Sequence, residues 1–151
     1  DGALSFHRPA LPVAPGHLDT MADYATDIST FLNGDLDPSF TVISGPQVVV
    51  EAVARRLTTP QGSLLTDPAY GFDVRQLLHA DLDRRTESRV VGLIRSQVEA
   101  DERILSSSAS LTRTGETLAI TVRFRTQDGP FAFTLSVGAA RVALLAAGAS
   151  A

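Results

Sequence analysis

Cysteine is absent from the chain, which excludes disulfide staples and thiolate chemistry together. Lysine is absent as well: all 13 basic residues are Arg, a bias of genome composition. There is no Trp and there are two Tyr, Tyr24 and Tyr70, so platforms for stacking sugars are sparse. No apolar run approaches the ~18 residues that a membrane-spanning helix requires. The N-terminus has no basic region followed by an apolar core, so no secretory signal is expected. Positive charge is also in deficit. A net charge of -4 argues against general nucleic-acid binding.

What is there suffices for a core. A length of 151 residues is the size of one domain that folds without staples. Hydrophobic content of 44% and charged content of 20% are ordinary for a globular chain. Residues 1–20 carry Pro9, Pro12, Pro15 and Gly16, a composition that cannot hold a helix. They are expected to form an extended arm, docked or disordered, with a single domain over 21–151 that begins near the sole Met, Met21.

The stretch that organises the rest is Glu51 to Leu78. A helix is expected to start at Ser44-Gly45-Pro46-Gln47, with Ser44 as the cap and Pro46 in the first turn. Val49, Val50, Val53 and Leu57 then share one face, with Glu51, Arg55 and Arg56 off it. Pro60 ends this helix near Thr58. After a turn at Gln61-Gly62, the apolar Leu64-Leu65 and a second breaker at Asp67-Pro68, a short helix over 73–79 starts on Asp73, which suits the helix dipole. A longer helix over 84–100, capped by Thr86 or Asp83, has the stripe Val91, Ile94, Val98. Gly92 inside it costs up to ~1 kcal/mol relative to Ala, which suggests that something packs closely there.

Past Asp101 the apolar period changes from 3.6 to 2. Leu118, Ile120, Val122 and Phe124 alternate with Ala119, Thr121, Arg123 and Arg125. Phe131, Phe133, Leu135 and Val137 do the same beyond Asp128-Gly129-Pro130, a strong hairpin signal. A weaker strand lies at 104–112, and Phe40 to Ile43 suits a short one. The fold class is α+β: helices packed on one face of a small antiparallel C-terminal meander of three strands, with an extended N-terminal arm. Residues 139–151 read as a short helix or a tail.

No residue set argues for catalysis. His7, His17 and His79 lack the pair spacing of a metal site. Asp35-Leu36-Asp37, between Asn-Gly and Pro, reads as a turn whose side chains bond their own backbone. There is no nucleophile elbow and no phosphate loop. The carboxylates that a glycosidase would need, drawn from Glu51, Asp67, Asp73, Glu87, Glu99, Asp101 and Glu102, lie mostly on helix faces or ends, where solvated carboxylates are the default. No catalytic, cofactor or metal residue is therefore assigned. Arg84, Arg85, Arg89 and Arg95 form a basic patch on the third helix, read either as a solvated face or as a docking face for an acidic partner.

Three features resemble the baseplate wedge family of contractile phage tails and tail-like injection systems, one member of which once carried a lysozyme assignment. The first is the connector, with Thr59-Pro60-Gln61-Gly62, then Pro68-Ala69-Tyr70-Gly71, then Leu77-Leu78. The second is Asp101-Glu102-Arg103-Ile104, where the family has Glu-Pro-Arg-Ile; Glu102 replaces the Pro. The third is the pair of amphipathic strands. Together they cover roughly residues 44–137.

The resemblance implies a structural protein of the inner baseplate, assembled in the bacterial cytoplasm into a virion or tail-like particle with six copies per baseplate. It implies that the chain joins the core bundle of the other wedge proteins near the hub and tube-initiator proteins. It also implies that the small sheet templates the first ring of sheath protein by strand addition. Asp101, Glu102 and Arg103, with Arg85 and Arg89, are the expected protein-interaction residues, although Arg103 can equally serve the helix dipole. No nucleic acid, membrane or cofactor is implied. The alternative is a lysozyme-like tail enzyme that degrades peptidoglycan; a generic adaptor is a third reading.

Overall fold

The computed structural model describes residues 25–29, 41–139 and 141–149. The expectations for the arm, for Tyr24 and for Asp35 to Phe40 lie outside these residues. Strand β1 (Thr26–Ile28) pairs antiparallel with β2 (Val42–Ser44), Thr26 opposite Ser44. Helix α1 (Pro46–Thr58) follows, then a 3₁₀ segment (Val74–His79), then α2 (Arg84–Glu99). Strands β3 (Ser106–Thr114), β4 (Thr117–Thr126), β5 (Gly129–Val137) and β6 (Val142–Ala149) form one antiparallel sheet in that order.

The meander therefore has four strands among the described residues. β6 replaces the expected C-terminal helix or tail. Small residues favour neither period on their own; here β5 supplies the pairing, with Val137 opposite Val142 and Leu135 opposite Leu144. Opposite Thr134 and Leu135 the register shifts by one residue, which leaves Leu145 of β6 as the extra, bulged residue.

The helices cover one face of this sheet. α1 lies against β5 and β6, the 3₁₀ segment against β4 and β5, and α2 beside β3. Leu118, Ile120 and Val122 of β4 and Phe133, Leu135 and Val137 of β5 are buried there. They meet Val49, Val53 and Leu57 of α1 and Ile94 and Val98 of α2 in one core. Each such side chain contributes about 1.5–3 kcal/mol on burial.

Three local expectations are corrected, and the choice of cap for α2 is decided. The N-cap of α1 is Gly45, without a side-chain cap bond; Ser44 is held in β2 instead, and Gly45 takes the left-handed turn at φ 66°. Glu51 is buried, not solvated, because β1 and its flank cover that side of α1: the Ser29 hydroxyl donates to Glu51 Oε1 at 3.0 Å. The buried stripe of α2 is Val90, Ile94 and Val98, a strict four-residue spacing that leaves Val91 at the flank. Asp83 is the cap of α2, accepting from the Thr86 amide at 2.8 Å.

Gly92 is exposed, and a Cβ built there meets nothing within 4 Å. No close packing holds it. Gly92→Ala should therefore stabilise the protein by up to ~1 kcal/mol, seen as a higher urea midpoint with an unchanged slope.

Candidate functional site

The connector between α1 and the 3₁₀ segment is pinned along its whole length. At the end of α1 the Thr58 hydroxyl donates to the carbonyls of Ala54 and Arg55, and that of Thr59 to Arg55 at 2.7 Å. These bonds take up carbonyls that a helix end leaves without partners. Three tight turns follow, closed by the amides of Ser63, Asp67 and Tyr70 on the carbonyls of Pro60, Leu64 and Asp67. The chain then returns to α1, where the Phe72 amide donates to Arg56 O at 3.0 Å.

Two side chains lock this return. Gln97 of α2 accepts from the Gly71 amide at 3.1 Å and donates to Ala69 O at 3.2 Å. The Arg56 guanidinium sits 4.3 Å from the centroid of the Tyr70 ring, a cation–π contact. Tyr70 is thereby half-buried, while Pro68 is an exposed turn residue. The outward run from Pro60 to Ala69 is exposed throughout, and Leu65 at its tip is 96% exposed. The result is a rigidly mounted apolar knuckle.

Beside it, the turn after α2 carries the expected Asp101-Glu102-Arg103 contact. Arg103 grips Asp101 with Nε–Oδ1 at 2.8 Å and Nη2–Oδ2 at 2.6 Å, and its own amide donates to Oδ1 at 3.1 Å. The fork is internal, and Glu102 between the two is exposed. Burial alone would raise the Asp101 pKa. The hydrogen bonds from Arg103 and the positive charges of Arg103 and Arg56 outweigh it and hold the carboxyl below its ordinary range. Arg56 thus links the two features, stacked on Tyr70 and acting on Asp101.

A folded-state pKa that is lowered stabilises the protein above the unfolded value near 3.8, and that stability is lost as pH falls through the lower folded value. Arg103→Ala should cost roughly 1–2 kcal/mol at neutral pH, a charge-assisted pair discounted for partial exposure. The difference from wild type should hold from pH 7 to about 5 and shrink below about 4. Urea midpoints across that range measure it.

Arg85 and Arg89 are exposed at the opposite end of α2. The helix rise puts Arg85 roughly 24 Å from Asp101, so the five expected interaction residues fall into two separate groups. Neither Arg85 nor Arg89 has a partner among the described residues, whereas Arg95 pairs with Glu99 at 3.3 Å.

The two edges of the large sheet differ. At β3, Glu99 accepts from the Ser107 amide at 3.0 Å and its hydroxyl at 2.8 Å, and these bonds help to hold the Glu99 carboxyl below its ordinary range. Arg113 reaches back to the carbonyls of Leu77, Leu78 and Ala80 at 2.9, 2.9 and 3.2 Å. With α2 packed alongside, β3 is a covered edge. At the other side β6 pairs with β5 alone among the described residues. Its sequence VALLAAGA contains no charge and no Pro, the usual protections of an open edge. The bulge kinks this edge but adds no charge, and its extra residue, Leu145, is 64% exposed.

Sequence reading placed the Asp101–Arg103 turn and the connector but missed the β6 edge and the Gln97 clamp. For β6, the uncharged, Pro-free run was the available signal. For Gln97 there was none, because its partners are 26 and 28 residues away.

Among the described residues no group of His, Asp and Glu could hold a metal ion, and no helix is long and apolar enough to cross a membrane. No protein-family profile and no curated protein matches the chain. Among solved structures, a candidate tail lysozyme from Geobacter sulfurreducens shares its fold, with a TM-score of 0.50 and 19% identity over 74% of this chain and 99% of that one.

Proposed function

We propose that this chain is a structural, non-enzymatic component of the inner baseplate of a contractile tail or injection system. It joins the wedge core bundle through the Asp101-Glu102-Arg103 turn and the neighbouring connector, and templates the first sheath ring by strand addition at β6. The observation that carries the reading is the contrast between the two edges of the sheet. One is covered by a helix and side-chain bonds; the other is an uncharged eight-residue strand. Natural sheets protect such edges unless a partner strand completes them. The motif resemblance and the fold shared with a protein named as a tail lysozyme support the association with a tail.

The lysozyme-like alternative takes its support from that neighbour's name. A cleft of about 430 Å³ beside Arg113 does contain Asp81 and Glu87, but Asp81 is exposed, and a general acid needs a desolvated carboxyl. The carboxyls of Asp73, Glu99 and Asp101 are all lowered, the opposite of what an acid catalyst requires. Clearing of a peptidoglycan suspension by the purified chain, abolished by Asp81→Asn, would favour the enzyme.

The experiment for the structural reading is negative-stain electron microscopy of particles from cells lacking this chain. Tubes or baseplates without sheath support it, and normally sheathed particles contradict it.

A further inference from the structure

The sheet has a second face, turned away from the helices, and on it two charges have no partner. The pairing sets Arg125 between Ser106 and Pro130, and Arg123 between Ser108 and Ala132. The other outward positions of β3, β4 and β5 are Ser, Thr, Ala or Pro, so the two guanidiniums are the only charges that these strands present on that face. Both are exposed, and neither has an ion pair or side-chain hydrogen bond among the described residues.

Five other arginines are engaged closely, whereas Arg85 and Arg89 on α2 also stand without partners among the described residues. Arg75, Arg95 and Arg103 hold carboxylates, Arg113 holds carbonyls and Arg56 stacks on Tyr70. Two like charges two residues apart on one strand stand roughly 6.6–6.8 Å apart, and they repel each other until an anion bridges or matches them. The small neighbours leave a shallow trough of about 290 Å³ around them, lined on this face also by Ser106, Ser108 and Pro130. It can accept a few side chains of an extended segment.

We propose that this trough binds an extended acidic peptide segment of a partner protein, with carboxylates at alternate positions meeting Arg125 and Arg123. An extended chain repeats its side chains on one face at the same spacing as the two arginines. The planar fork of Arg suits carboxylate, and the serine hydroxyls can donate to a carboxylate's remaining lone pairs. The site uses the face and not the edge of the sheet, so it stands whether or not β6 primes a sheath.

The test is fluorescence anisotropy of a labelled synthetic peptide alternating glutamate and threonine, titrated with the full chain at low salt. A second peptide alternating glutamine and threonine is the control. The expected result is saturable binding of the glutamate peptide, at least tenfold tighter than the control. It should weaken at least tenfold in Arg123→Ala/Arg125→Ala and by less in Arg123→Lys/Arg125→Lys, which keeps the charge but not the fork. Both positions are exposed, and unchanged far-ultraviolet circular dichroism confirms that the variants fold. Three outcomes would overturn the proposal: no binding, equal binding by wild type and the double alanine variant, or displacement of the peptide by inorganic phosphate at matching concentration. The last would mark a general anion patch.

Discussion

Gly71→Ala is expected to destabilise this protein by roughly 3–5 kcal/mol, far more than the one added methyl suggests. Gly71 has φ 100°, a region that side-chain-bearing residues rarely adopt, and an ideal Cβ there would lie 2.4 Å from Thr59 O and 3.2 Å from Thr59 C. Both are backbone atoms, and a change of rotamer cannot clear them. The backbone cannot easily rotate either. Its amide is held by Gln97, and the next amide is held by Arg56 O. Relief therefore requires the connector to lift off α1 and α2. The Gln97 clamp and the Arg56–Tyr70 stack would go with it, and Leu65 would lose its fixed position.

The urea midpoint should fall by the corresponding amount, with amide exchange faster across residues 60–72 than in β4. A variant within about 0.5 kcal/mol of wild type, the range of an ordinary surface change, with equally protected connector amides, would show that the clamp is not what holds this segment.

The parts legible in the sequence were those written in local chemistry. Alternation along Leu118 to Phe124 and Phe131 to Val137 specified β4 and β5, because one face of each is buried and the period of a strand is two. Pro60 and Asp83 marked the end of α1 and the start of α2. The illegible parts depend on distant partners. β6 is apolar throughout, without alternation, so its conformation comes from pairing with β5 and not from its own pattern. Glu51 sits on what looked like a solvated side of α1, and only the placement of Ser29 over it makes the position buried. Ser44 carried a cap signature, yet strand pairing with Thr26 claimed it first.

The candidate site divides in the same way. The Asp101–Arg103 pair came from contiguous residues and a family resemblance. Its geometry as an internal fork, and its separation from Arg85 and Arg89 along α2, required the fold.

The second large effect is expected at the open edge. Leu145→Lys puts a charge within β6 at a position that is 64% exposed, so the folded chain should lose no more than about 0.5 kcal/mol. A lysine on an edge strand is a common natural device against pairing, since an incoming strand must desolvate it or push it aside. Leu145→Ala removes the same apolar surface without adding charge, which separates a lost contact from blocked strand addition.

The most direct measurement is electron microscopy of particles assembled in cells in which the chain is replaced by each variant. Strand addition at β6 predicts sheathed particles with Leu145→Ala and bare tubes or unsheathed baseplates with Leu145→Lys, both variants being folded. Normal sheaths with Leu145→Lys would contradict it and remove β6 as the template.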